Sequence, residues 1–462
     1  MLYRFRSTSR VLENKEIEDN YFYFASPSQQ NDPMEGYIDF FWKGDWIAWM
    51  GLFKHYTWQV FMTLFEIPLH LELEDLCKLH LWHTEIHHKN TKLPEYRIQI
   101  EDKVAADEKI MELATALADS QRKLTSTELQ TTLFIIHKVA LYYANQLLED
   151  KGLQIFSKSE ATERFLSLAV AYQGIDAFIT LLKSSEQLSQ ACKVTSNTLN
   201  SVILMSQMTM SKDEPPIEHK ALAFLFADFP ENYVRQIPRL SFPDWYCVCF
   251  NTNAQNPALW GYYADGHKGI CLVFNNDPAK GIYLTEMNTG MKQTPKYFPI
   301  HKVAYGEAPV RVDFFSSLGN LWGDERTHWL KHNGEQSQVL TSIFEDVDGW
   351  REEYHANNKR RFLRKSAAWE AENEYRIILD DFWENHQNSR KFSYKFEDLD
   401  GIIFGIKTPT DQKLSIIDAV RKKCEKTGRE LFNFYQASYN SKTSQIEIEP
   451  IPLLSDISQI PK

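Results

Sequence analysis

Long apolar runs are missing from this sequence. No stretch of about 18 or more apolar residues occurs, so no transmembrane helix is expected. The opening MLYRFRSTSR lacks the apolar core of a signal peptide. Cysteine is sparse: Cys77, Cys192, Cys247, Cys249, Cys271 and Cys424 form no CxxC pair and suggest no disulfide framework. These absences lead us to expect a reducing, cytoplasmic compartment and no membrane partner. Cys247 and Cys249 in WYCVCF share one strand face and read as small buried hydrophobes. There is no GxGxxG, no Walker A sequence and no GxSxG elbow, which disfavours the common dinucleotide dehydrogenases, P-loop NTPases and α/β-hydrolases. Positive charge is in deficit, 51 Lys and Arg against 62 Asp and Glu for a net charge of −11. The chain as a whole therefore does not attract phosphate backbones, and nucleic acid is not an expected partner. Two local basic clusters, Asn358–Lys365 (NKRRFLRK) and Arg421–Lys423, read as solvated helix faces. Internal repeats and low-complexity tracts are absent.

What is present is material for cores: 43% hydrophobic residues, with 12 Trp and 29 Phe, which argues against disorder. At roughly 100–200 residues per domain there is room for two or three domains. Leu2–Arg6 alternates apolar and charged residues as a strand does, with Arg4 and Arg6 on one face. Tyr21–Ser26 reads as an aromatic strand. Asn31-Asp32-Pro33-Met34-Glu35 offers an N-cap, a first-turn proline and a capping-box acid. From about Trp46 to Ile237 the periodicity is helical, clearest in Leu113–Leu124, Thr127–Glu149, Glu160–Lys183 and Ser189–Met210. Strand character returns at Trp245–Phe250 and recurs at Gly269–Phe274, Lys302–Tyr305, Val310–Phe315, Glu374–Leu379, Gly401–Gly405 and Glu430–Ala437. Pro257 and Gly266 bracket a short helix, Ala258–Ala264. Glu352–Glu370 and Thr410–Lys426 read as helices. The expected fold is α+β. A split mixed-sheet domain is built from 1–45 and 241–450, a large all-helical insertion fills 46–240, and 451–462 is a tail.

Glu372, Glu374 and Arg376 are the strongest constellation, standing where a helix hands over to a strand. On a strand they share one face, while Tyr375, Ile377 and Leu379 share the other. Two carboxylates at that spacing can polarise a sugar carbon and orient a nucleophile. The competing reading is an exposed strand edge laced with salt bridges. Arg4 and Arg6 could clamp a pyrophosphate with two guanidinium forks, or simply be solvated. Trp260, Tyr263 and His267, spaced i, i+3, i+7, could stack on a nicotinamide or adenine ring, though such a stripe is more often core. His83 and His87 are at a zinc-compatible i, i+4 spacing within Cys77–His88, but no second ligand cluster accompanies them, so no metal is expected.

Taken in order, these blocks resemble the bacterial domain-of-unknown-function family 2971: Leu2–Arg6, Tyr23–Pro27, Asn31–Glu35, Cys249-Phe250, Leu259–Leu272, Val303–Tyr305, Lys365…Trp369…Glu372…Arg376 and Ile402–Gly405. At a second level the order is similar to ADP-ribosyltransferase-like folds. Those place a basic residue on an early strand, an aromatic or hydroxyl residue on the next, and a catalytic Glu, often as ExE, on a later one. Arg4, Tyr23 or Ser26, and Glu374 with Glu372 occupy those places. The resemblance implies an NAD-using transferase or glycohydrolase in a toxin or phage-defence setting. Arg4 and Arg6 would hold the phosphates, Tyr23, Ser26, Trp260, Tyr263, His267 and Arg376 the rest of the nucleotide, and Glu374 and Glu372 the reacting sugar. The alternatives are a ligand-sensing or interaction module that uses the helical segment as its partner surface, and a nucleic-acid-processing protein.

Overall fold

The computed structural model describes residues 1–67, 77–79, 81, 92–153, 155, 167–209, 221, 223–242, 244–287, 294–321, 323–380, 390–443 and 445–460. The chain divides into two compact units. The first comprises Met1–Tyr37, Pro243–Val310 and Asn358–Lys462, and the second Ile38–Phe242 and Arg311–Asn357.

The first unit is a mixed α/β structure around two larger sheets and a two-stranded parallel pair, Ala304–Tyr305 with Arg364–Lys365. The strands of the larger sheets are β1 (Leu2–Arg6), β2 (Tyr21–Tyr23), β3 (Trp245–Asn251), β4 (Ile270–Phe274), β5 (Ile282–Glu286) and β6 (Lys296–Phe298). They continue with β7 (Ile300–Lys302), β8 (Glu374–Asp380), β9 (Lys391–Ser393), β10 (Leu399–Phe404), β11 (Asn433–Asn440) and β12 (Gln445–Pro450). The larger sheet has the order β12-β11-β10-β4-β1-β3-β8-β7, and the smaller β2-β9-β5-β6. β10 and β11 are parallel, joined across helix Thr410–Thr427; the other neighbours in the large sheet are antiparallel. The period-two alternation of each strand sorts its side chains between two cores. Leu2, Val248, Phe250, Leu272, Ile377 and Ile402 enter one, which helix Thr410–Thr427 closes with Ile416, Val420 and Cys424. Phe5, Cys271, Val273 and Ile403 enter the other, against Leu259 and Trp260 of helix Pro257–Tyr263.

One junction in this sheet is incomplete. β1 runs along β4 through five pairs, Leu2↔Phe274 to Arg6↔Ile270. β3 runs along β8 through seven, Glu374↔Asn251 to Asp380↔Trp245. β1 and β3 meet at a single pair, Tyr3↔Asn251. Beyond it the two halves of the sheet diverge, leaving a fork with Arg4, Phe5 and Arg6 on one lip and Cys247 and Cys249 on the other. The β3 lip is not bare, because Ala25 bridges to Cys247 in both directions at 2.9 Å.

The second unit is mainly helical. Helix Trp46–Glu66 is buried on every side from Ala48 to Leu64, as a helix at the centre of a core must be. Asp45 caps it, accepting the Ala48 N–H at 3.0 Å. Leu93–Ala105, Glu108–Ser120, Ser126–Asp150, Leu168–Leu181 and Ser185–Thr209 are further helices. Thr125 and Glu128 form a capping box at the start of Ser126–Asp150. Between 100 and 209 the described residues contain one strand, Leu124–Thr125, which pairs with Ile38–Trp42. No described helix is long and apolar enough to cross a membrane.

Two expectations change. The helix read over Glu352–Glu370 ends at Phe362; a short strand, Arg364–Lys365, and a 3-10 turn, Ala367–Glu372, follow. The basic cluster Asn358–Lys365 is therefore no solvated face: Asn358, Arg361, Arg364 and Lys365 are buried. The histidines at 80, 83, 87 and 88 lie outside the described residues.

Candidate functional site

A cavity of about 660 Å³ occupies the fork in the first unit. Of the expected site residues, Arg4, Arg6, Tyr23, Tyr263, Glu372 and Glu374 line it together. Ser26, Trp260, His267 and Arg376 do not. Ser26 sits in its own capping box with Gln29. Trp260 is fully buried, donates Nε1–H to the Ala254 carbonyl at 2.8 Å, and meets the Phe5 ring edge-on. Its stripe position is a core position. His267 follows Gly266 in a left-handed conformation, φ 71°, and its backbone carbonyl accepts from Lys407.

On the β1 lip, Arg4 is 9% exposed, with its guanidinium 5.2 Å from the centre of the Phe22 ring. Its Nη1 is buried without a hydrogen-bond partner. Burial, assisted by the Arg6 charge, lowers its pKa to about 10. A cation left part-unpaired at a cavity wall is poised for an anion. Arg6 is already satisfied, its guanidinium forked onto the Glu16 carboxylate. The two arginines therefore do not act as a matched clamp. The β2 wall carries Tyr21 and Tyr23; Lys391 lies over the first ring at 4.8 Å, and Arg390 over the second at 5.2 Å.

The opposite wall is a buried ion cluster. Glu374 opens β8 and Arg376 follows on the same face, as the alternation requires. Ile377 on the other face is fully buried in the main core, with Tyr375 and Leu379 packed against it. Glu372 is not on the strand. It ends the 3-10 turn, and Asn373, at φ 46°, reverses the chain between the two carboxylates. Asparagine tolerates that left-handed conformation better than most residues. Side-chain amides pin the turn: Asn251 donates to the Glu372 carbonyl at 2.9 Å and Asn256 to that of Ala371 at 2.8 Å. The same strand-plus-turn geometry brings both carboxylates to one cation. Lys365 Nζ donates to Glu372 Oε2 at 2.6 Å and to Glu374 Oε2 at 3.2 Å. Arg376 donates from Nε to Glu374 Oε1 at 2.8 Å and from Nη2 to Glu35 Oε1 at 2.7 Å. Tyr263 donates its hydroxyl to Glu372 Oε1 at 2.7 Å, and the Glu374 N–H donates to the Tyr305 hydroxyl at 2.8 Å.

The reading of Glu372–Arg376 as an exposed edge therefore fails: Glu372, Glu374 and Arg376 are buried, Arg376 completely. Burial alone would raise the Glu374 carboxyl, but Arg376 and Lys365 overcome it and hold it at about 2. Glu374 is a fixed anion at neutral pH. Burial dominates at Glu35 and raises its carboxyl despite Arg376. Burial also raises Tyr305, to about 12, and Tyr263 further still.

Two members of this cluster escaped the sequence reading. Local periodicity puts Lys365 on a solvated basic helix. The spacing from Asp32 gives Glu35 a capping-box role, but no helix starts there. Asp32 caps a turn, accepting the Met34 N–H at 2.9 Å, and that turn aims Glu35 inward at Arg376. The available signal is that the Asn31–Glu35 and Lys365…Arg376 blocks both belong to the one ordered set of segments that carries the family resemblance. Their mutual contact is a tertiary fact that local periodicity does not carry.

Among the described residues no group of three or more His, Cys, Asp or Glu side chains is placed to hold a metal ion. Residues 259–377 match the model of a family described as "Protein of unknown function (DUF2971)". No curated protein and no solved structure matches the chain.

Proposed function

For a chain whose residues 259–377 match the DUF2971 family model, we propose that the cleft of the first unit binds NAD and breaks its nicotinamide–ribose bond, as a glycohydrolase or an ADP-ribosyltransferase. The observation that carries this reading is the gathering of Arg4 from β1, Tyr23 from β2 and Glu374 at the head of β8 around one cavity of about 660 Å³. That volume is of the size that small-molecule and cofactor clefts have, about 300–1,000 Å³. Arg4, with its unpaired Nη1, takes the pyrophosphate. Tyr23 and Tyr263 offer ring faces to the bases. When the C–N bond breaks, its electron pair leaves with nicotinamide and positive charge grows on the ribose carbon. A carboxylate that is ionised and rigidly held there stabilises the transition state more than the ground state. Glu374 has both properties, and Glu372 stands beside it to orient water or an acceptor. An enzyme of this kind would act by depleting NAD or marking a target, as in a toxin or phage-defence role.

One feature favours the alternative of a ligand-sensing module that binds without turnover. Glu372 and Glu374 already accept from Lys365, Arg376 and Tyr263, so their lone pairs are largely engaged. A single pair of measurements separates the two. Purified protein is titrated with NAD by calorimetry, and nicotinamide release is followed by chromatography. Binding with release supports the enzyme. Binding without release supports the sensor. Absence of both removes NAD from the account.

A further inference from the structure

The second unit holds a separate cavity of about 420 Å³, lined by Lys54, Glu101, Asp102, His328, Lys331 and His332 among others. Its construction begins at a glycine. A Cβ on Gly51 would stand 2.2 Å from the Trp329 carbonyl oxygen, so only glycine lets helix Trp46–Glu66 approach helix Gly323–Leu330 this closely. Lys54 lies three residues on from Gly51, on the same helix side. Past Leu330 the chain turns through a hairpin, Lys331–His332 against Glu335–Gln336. Asn333 and Gly334 form its tip with φ of 47° and 84°, as a type I′ turn needs. The close helix contact and the tight turn together set the His332 ring over the Lys54 amine.

Lys54 is 9% exposed. Its Nζ lies 2.9 Å from His332 Nδ1, and among the described residues this is its one hydrogen-bond partner, with no carboxylate in ion-pair range. The neighbouring Glu101 is otherwise engaged: Arg97 donates to it at 2.7 Å and His328 Nδ1 stands 3.3 Å away. A buried lysine in a folded protein is normally matched to a carboxylate. This one faces an imidazole and a cavity. Burial lowers the pKa of both members of the pair, at Lys54 against the opposing pull of the Glu101 and Asp102 charges, and the Lys54 charge lowers that of His332 further. Such surroundings favour the free amine, the nucleophilic form of lysine.

We propose that Lys54 is a reactive amine that forms an imine with a small aldehyde held in this cavity, with His332 moving the proton. The Lys54 nitrogen attacks the carbonyl carbon, a C–N bond forms, and the first of the two amine protons passes to the oxygen, which becomes a hydroxyl. His332 Nδ1 accepts the second proton from the nitrogen and delivers it to that hydroxyl as the C–O bond breaks. Water leaves and a C=N bond remains, so one aldehyde and one amine give one imine and one water with no change in oxidation state. This site is independent of the NAD reading of the first unit.

The test uses the full chain, pyridoxal as the aldehyde and cyanoborohydride to fix the imine at pH 7, with peptide mass mapping over time. Lys331, exposed on the same cavity, is the internal control. Lys54 is expected to label severalfold faster, because its burial beside His332 raises the free-amine fraction and gives the departing proton an acceptor at 2.9 Å. His332→Gln is expected to bring the Lys54 rate down towards that of Lys331 while Lys331 itself is unchanged. Labelling of Lys54 at or below the rate of Lys331 in the unaltered protein overturns the proposal, whether or not the variant folds. Undiminished labelling of Lys54 in a folded His332→Gln protein overturns the role given to His332.

Discussion

Glu374 accepts hydrogen bonds at both oxygens, and the two cations that supply them are shared with Glu372 and Glu35. That sharing sets the response of the cluster to substitution. Lys365→Met leaves Glu35 and Glu374 to Arg376 and leaves buried Glu372 with the Tyr263 hydroxyl and no cation. Removing one partner of a buried ion pair costs about 3–5 kcal/mol, so urea denaturation of Lys365→Met should show a loss on that scale; an unchanged midpoint would mean the cluster is not closed in solution. Glu374→Gln acts differently: Lys365 and Arg376 then face Glu35 and Glu372, and formal charge balances. Acid should act through Glu374 as well. Its folded carboxyl sits at about 2, below the unfolded value. Its ionisation therefore stabilises the fold fully above roughly pH 4.3, and the contribution, about 3 kcal/mol, is lost as pH falls towards 2. Stability measured from pH 5 to 2 should drop more steeply in the unaltered protein than in Glu374→Gln. Parallel curves would contradict the assignment.

At the scale of elements, the cleft exists because β1 and β3 pair once and then part. The β1 lip is held from behind by Gly269, where a Cβ would stand 2.2 Å from the Arg6 carbonyl oxygen and 2.9 Å from Ala264. Gly269→Ala must push Arg6 off its line, and overpacking of this kind costs about 1–3 kcal/mol; a denaturation midpoint equal to the unaltered protein would show that the lip yields freely. The strands bounding the fork were largely legible in the sequence. Leu2–Arg6, Gly269–Phe274 and Glu374–Leu379 were read within a residue or so of Leu2–Arg6, Ile270–Phe274 and Glu374–Asp380, because alternation over a half-buried surface is a local signal. The long helix at Thr127–Glu149 was legible for the matching reason, and its true start, Ser126, follows a capping box. The failures have one physical origin. Helical periodicity ran through Phe362 into Lys365 and Glu370, but burial of Lys365 against Glu372 and Glu374 won over local propensity. Glu35 failed likewise: its capping-box spacing was correct, and Arg376, distant in sequence, took the carboxylate. Asn373 hid the displacement of Glu372 from the strand face, since only its positive φ breaks the alternation.

Across the whole molecule, the net charge of −11 bears on partners. The cluster Asn358–Lys365 is largely buried, so it adds little to any basic surface. We expect no retention on immobilised single- or double-stranded DNA or RNA at about 50 mM salt, where phosphate contacts bind most strongly; salt-dependent retention would revive a nucleic-acid role. The central claim concerns Glu374, fixed and ionised at the head of β8, with Arg4 and Tyr23 across the same cavity. The most direct measurement compares NAD consumption and NAD affinity in the unaltered protein and in Glu374→Gln, with folding checked by circular dichroism. Loss of one strong electrostatic contact to a transition state costs about 100-fold or more in turnover. The expected result is NAD consumption by the unaltered protein, a fall of that size in Glu374→Gln, and nearly equal affinity. Equal consumption by the two proteins, or consumption by neither, would contradict the catalytic role of Glu374.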